Sequence, residues 1–174
     1  MTTTPIRFGM TLATFTVLLA ATGCQTTQLP TAQNLEPTKS VMPSLMYQDG
    51  RAEEAMNRYV EVFREARVHS VKKYGENQIG AEPDSVEQAV FEVYGQRIMV
   101  TDSPIRHAFG FTPSVALLVD LDSEPELDRI FAALSEGGDV MMPPANYGFS
   151  EKFAWIQDRY GVSWQLNLSP APSD

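Results

Sequence analysis

GFSEKFAWIQDRYGVSWQL, residues 148–166, holds two runs rich in aromatic and β-branched side chains, one on each side of Asp158-Arg159-Tyr160-Gly161. Such runs suit strands, and Gly161 supplies the positive φ that a tight connection between them needs. The stretch therefore reads as a closing hairpin.

Working back from this hairpin, the same order of elements appears twice. In the first half, residues 41–47 form a short apolar strand, with Pro43 near its start, and Asp49-Gly50 marks a turn. Residues 51–64 carry Ala52, Ala55, Met56, Tyr59 and Phe63 at helical spacing. Strands follow over 67–74, 86–94 and 96–101, the last two joined at Gly95. In the second half, 112–121 is a strand, Ser123-Glu124-Pro125-Glu126 reads as a capping box, and Leu127, Ile130, Phe131 and Leu134 form one buried helical stripe ended by Gly137-Gly138. Strands over 139–142, 152–157 and 162–168 complete the unit. The expected fold class is α+β, with two βαβββ units.

The length of 174 residues suits one domain with a leader, and 43% apolar composition is enough for a core. Cys24 is the sole cysteine, so neither an internal disulfide nor a cysteine-based metal site can form. Residues 1–23 contain one charge, Arg7, and the apolar run 8–21 is too short to span a bilayer comfortably but suits a secretory signal. Residues 24–40 are mainly Thr, Gln, Pro, Asn and Ala and read as a flexible tether, while 169–174 reads as a disordered tail. Removing residues 1–23 leaves 12 basic against 22 acidic side chains, a formal charge of −10. No basic stripe interrupts that acidic surface, which excludes nucleic acid as the expected partner.

The run 148–166 closely resembles the C-terminal signature of the PhnB-like branch of the vicinal oxygen chelate superfamily, the glyoxalase and bleomycin-resistance fold. Further similarities are YQDGRAEEAM at 47–56 with Tyr59 and Phe63, GQRIM at 95–99, and FTPSV at 111–115. The resemblance covers residues 41–168 and implies curled half-barrel sheets with helices outside, a cavity on the concave face, and a homodimer. The leader resembles a bacterial lipoprotein signal, which implies lipidation of Cys24. With Gln25 instead of aspartate after it, that resemblance implies the periplasmic face of the outer membrane.

Metal-dependent members of the superfamily bind a divalent ion through His, Glu or Gln on the barrel strands. The corresponding places here fall near Ser44, Met99, Ser114 and Gln165, and only Gln165 is a suitable ligand. No metal and no cofactor is expected. Ser44, Ser114, Trp155 and Gln165 are the candidate cavity residues, by family position and strand parity. His69 and His107 occupy no ligand-spaced motif; the first reads as a partly exposed strand residue, the second as a surface-loop residue. Glu53, Glu54, Glu61 and Glu65 read as a solvated helix face, and Glu92 is assigned to solvent. Ser163 lacks a nucleophile elbow, and Gly137-Gly138 follows a helix where a cofactor loop would precede one. PhnB-like domains carry a methyltransferase label connected with demethylubiquinone, but no motif here supports methyl transfer. The expected function is a lipid-anchored, metal-independent small-molecule binding protein. The alternatives are a metal-dependent lyase or dioxygenase of the superfamily, or a structural envelope protein retaining the fold.

Overall fold

The computed structural model describes Met1 and residues 41–169, apart from Asn77 and Ile79. Residues 2–40, where the signal, the tether and Cys24 are expected, and residues 170–174 of the expected tail lie outside the described residues. Of the two units into which the chain divides, Met1–Lys39 and Ser40–Asp174, the second carries the fold. Its elements are β1 (Ser44–Tyr47), α1 (Ala52–Val62), β2 (Ala66–Lys73), β3 (Val86–Val93), β4 (Gln96–Asp102), β5 (Ala116–Leu121), α2 (Glu124–Ser135), β6 (Asp139–Ala145), β7 (Phe153–Gln157) and β8 (Ser163–Leu168). They make two four-stranded mixed sheets, ordered β1-β4-β3-β2 and β5-β8-β7-β6. In each sheet the first strand runs parallel to the last, while the other pairs are antiparallel. The doubled βαβββ order is thus realised as two α+β layers, neither closed into a barrel.

Period-2 and period-3.6 patterning account for these elements. In β3 the buried side chains include Ala89, Phe91 and Val93; in α1 they are Ala52, Ala55, Met56, Tyr59 and Val62. Leu127, Ile130 and Leu134 of α2 are buried, but Phe131 is only half-buried, at the margin of the stripe. The helix-bearing faces of the two sheets share one core. Tyr59 of α1 stacks on Phe91 at 5.8 Å and meets Trp164 of β8 edge-on at 5.0 Å, while Phe63 lies 5.2 Å from Trp164.

The helix starts use longer-range partners than local capping predicts. Asp102, buried at the end of β4, accepts from the amides of Ala52 at 3.0 Å and Val86 at 2.9 Å, so one carboxylate satisfies both α1 and the start of β3. The expected capping box at Ser123 is not closed by a side-chain hydrogen bond. Glu126 instead accepts from the Tyr94 hydroxyl at 3.1 Å and from Arg129 at 3.3 Å, which draws it away from the cap.

The closing hairpin forms as expected, with Gly161 at φ +88°. Asp158 at its head is 5% exposed and ties the hairpin to the first half by accepting from the Tyr59 hydroxyl at 2.8 Å and the Trp164 indole at 2.9 Å. Its other oxygen accepts the amides of Tyr160 and Val162, each at 2.9 Å. The hairpin also sits against Gly138, where an added Cβ would lie 2.4 Å from the Gln157 carbonyl oxygen.

Candidate functional site

Each sheet has one face against its helix and one open face, and strand parity assigns side chains to them. On the open face of the first sheet, Ser44 is in register with Met99, and Met99 with Val90. Beside them lies a row of charge, with Arg67 opposite Glu92 and Glu92 opposite Arg97. His69 is two residues on from Arg67 and by strand alternation shares this face, and the register shift between Val68 and Ser70 then puts Ser70 opposite Val90 on the same side. The His69 Nε2 lies 2.9 Å from the Glu92 carboxylate, which also pairs with Arg67 at 2.9 Å and Arg97 at 3.8 Å. The His69 hydrogen bond, followed by the charges of Arg67 and Arg97, holds Glu92 below the ordinary carboxylate value.

Glu92 is therefore not a freely solvated side chain, having only 15% side-chain exposure. Its place on this face is compatible with strand parity, since Phe91 and Val93 point the other way. His69 shares that parity through Arg67, two residues before it. His107 is half-buried, with Nε2 3.0 Å from the Ser103 hydroxyl and its ring stacked on Phe109.

The open face of the second sheet is different in character. Leu118, Gln165, Trp155 and Met142 stand in one cross-strand row. Trp155 and Gln165 are thus brought together as direct neighbours, both half-buried, and the Trp155 indole donates to Ser163 at 2.8 Å. Leu118, which sequence reading passed over, is 57% exposed although it is a leucine in mid-strand. Ser44 lines a separate cleft of about 300 Å³ between the halves, together with Phe111, Val115, Leu117 and Ser163.

Ser114 does not reach the position expected of it. β5 begins at Ala116, later than the predicted 112, because the Val115 amide bonds back to the Thr112 carbonyl and makes a turn. The Ser114 and Thr112 hydroxyls bond each other at 2.6 Å within that turn. The strand neighbour of Gln165 is Leu118, just as Met99 is the neighbour of Ser44.

Ser44, Met99, Leu118 and Gln165 are a poor donor set for a divalent ion, since they comprise one hydroxyl, one thioether, one alkyl group and one amide. Among the described residues no three His, Cys, Asp or Glu side chains converge as a metal site would require.

A family model described as 3-demethylubiquinone-9 3-methyltransferase matches residues 39–167. A PhnB protein from Bacillus cereus is 40% identical, aligned over 75% of this chain and 100% of its own, with a TM-score of 0.72. The chain belongs to the PhnB-like 3-demethylubiquinone-9 3-methyltransferase family. The protein PA1353 from Pseudomonas aeruginosa is 25% identical, with a TM-score of 0.67 over 76% of this chain and 98% of its own. The fosfomycin resistance protein FosX from Mesorhizobium loti, at 15% identity and a TM-score of 0.52 over 78% of this chain and 94% of its own, shares the fold. No curated protein matches the chain.

Among the described residues of this PhnB-like chain, neither helix start is left open as a site for an anionic cofactor group. The α1 start is occupied by Asp102, and the first turns carry Glu53 and Glu54 in α1 and Glu124 and Glu126 in α2. Acidic first turns already satisfy the partial positive charge that would attract an anionic group. Gly137 ends α2 at φ +73° and leads into β6, so this glycine pair serves as a helix stop.

Proposed function

We propose that this PhnB-like protein is a metal-independent binder of small molecules, held at a membrane by a lipid on Cys24. The observation that carries the binding reading is the Leu118–Gln165–Trp155–Met142 row. It offers an apolar wall with one amide to orient a ligand and an indole fixed by its bond to Ser163. Neither open sheet face is covered by its own helix. A homodimer that laid the charged face around Glu92 over the apolar face around Trp155 of a second copy would enclose a cavity with one polar and one apolar wall.

Methyl transfer is not part of this reading, because the Gly137-Gly138 pair ends α2 and opens no cofactor loop. The donor set at Ser44, Met99, Leu118 and Gln165 supports metal independence. The acidic balance of −9 opposes nucleic acid binding. Anchoring rests on the apolar run ending at Thr22-Gly23-Cys24, and acyl chains contribute about 0.8 kcal/mol per buried methylene.

Native mass spectrometry with elemental analysis of protein prepared without chelators tests these points together. The expected result is an acylated mass, a dimer, a retained small molecule and no metal, with Gln165→Ala losing the small molecule and Cys24→Ala losing the lipid. Near-stoichiometric Zn, Ni, Mn or Fe in the parent, lost in Gln165→Ala, would overturn metal independence.

One observation favours a second reading, an enzyme. His69 and Glu92 form an imidazole–carboxylate pair on the open face, with 2.9 Å between Nε2 and the carboxylate, a pairing suited to proton transfer. A His69→Gln variant that keeps ligand capture but abolishes turnover of the captured molecule would select it.

A further inference from the structure

A second cavity, of about 330 Å³, opens where the linker between the halves returns past the end of β1, and its lining includes Tyr47, Gln48, Asp49, Arg106, His107, Phe111 and Tyr160. None of these belongs to the Gln165 row. Tyr47 and Phe111 meet edge to face at 5.1 Å and form an aromatic corner. The Tyr160 ring is held in place by the Arg51 guanidinium, 5.4 Å from its centre.

Arg106 has no carboxylate partner, whereas every other lysine and arginine among the described residues is ion-paired. In a chain with 22 acidic against 13 basic side chains, carboxylates are in surplus. Asp49, the one carboxylate in the lining, is held by Arg51, so Arg106 beside the aromatic corner is left open to an incoming anion, and a guanidinium can grip a carboxylate through two parallel hydrogen bonds. The segment bearing Arg106 is also pinned. Gln48 accepts the His107 amide at 2.5 Å and donates to the Phe109 carbonyl, while Ser103 bonds the His107 ring at 3.0 Å. Fixing a wall before the ligand arrives lowers the ordering cost of binding.

We infer that this cavity is a second binding site, for a small planar molecule carrying one carboxylate. The carboxylate pairs with Arg106 and the ring lies against Tyr47, Phe111 and Tyr160. This reading is independent of what the open sheet faces bind.

The test is an NMR titration of the full chain with benzoate, using benzamide as its neutral counterpart and cyclohexanecarboxylate as its non-planar one. Saturable shifts centred on His107 and Phe111 are expected, with each counterpart at least tenfold weaker. Arg106→Ala should weaken benzoate at least tenfold. Arg106→Gln, which keeps the stem and removes the charge, should do the same with an unchanged melting temperature. Gln165→Ala should leave benzoate affinity within twofold of the parent. The inference is overturned by the absence of saturable binding, by equal affinity for a counterpart, or by benzoate affinity that survives both Arg106 variants. Shifts centred on Trp155 and lost in Gln165→Ala would also overturn it, while leaving the binding row of the second sheet intact.

Discussion

Replacing Asp158 by alanine should loosen the joint between the two halves. The carboxylate accepts four hydrogen bonds, from the Tyr59 hydroxyl, the Trp164 indole and the amides of Tyr160 and Val162, at 2.8 to 2.9 Å. Without it, the Tyr59 hydroxyl can turn toward Tyr47, 3.3 Å away, but the indole N–H and the two amides lose their acceptor. At about 1–3 kcal/mol for each unsatisfied buried donor, the gross cost is about 3–9 kcal/mol. Removing a carboxylate whose burial is itself unfavourable offsets several kcal/mol of that. The net expectation is a loss of about 3–4 kcal/mol. Asp158→Asn should cost less, about 1–3 kcal/mol, since its remaining oxygen still serves both amides and only the indole is left facing a donor. Urea unfolding followed by tryptophan fluorescence measures both, with Trp164 reporting on the joint directly. An alanine variant within about 1 kcal/mol of the parent, or no more destabilised than the asparagine variant, would refute the assignment of Asp158 as the link between the halves.

Three other outcomes follow from the same structure. Burial pushes the Asp158 carboxyl above its ordinary 3.8, against the pull of the Tyr59 and Trp164 hydrogen bonds. A raised folded value gives a contribution fully present below the unfolded value and lost as pH rises through the folded one. The stability advantage of the parent over Asp158→Asn should therefore grow as pH falls from neutral into the carboxylate range, and a difference that shrinks in urea titrations at successive pH values would contradict this. Leu134→Ala should cost about 2–5 kcal/mol in chemical denaturation, since Leu134 is buried beside Leu127 and Ile130, and a change indistinguishable from zero would mean that α2 faces another way. Gly138→Ala should cost about 1–3 kcal/mol in the same assay, because its Cβ would meet the Gln157 carbonyl oxygen at 2.4 Å and backbone cannot give way cheaply; a neutral effect would show that the hairpin sits further off.

Element order, the closing hairpin and most of the buried stripes were legible in the sequence, because they follow from periods of two and 3.6 and from local turn chemistry. Gly161 at φ +88° and the Leu127, Ile130 and Leu134 stripe are local consequences of this kind. Trp155 and Gln165 could be assigned to one face by parity alone, but their adjacency is set by the pairing register between β7 and β8. Register also decided that Leu118, and not Ser114, stands beside Gln165, since a bond between Thr112 and Val115 delays β5 by four residues and no periodicity announces it. The pairing of β2 with β3 set His69 beside Glu92, and Asp102 reached the start of α1 from the end of β4, across 50 residues of chain. A sequence pattern reports which face of its own element a side chain occupies. Which distant groups then satisfy a buried carboxylate or surround a lone arginine depends on how the elements pack, and only the tertiary structure determines that.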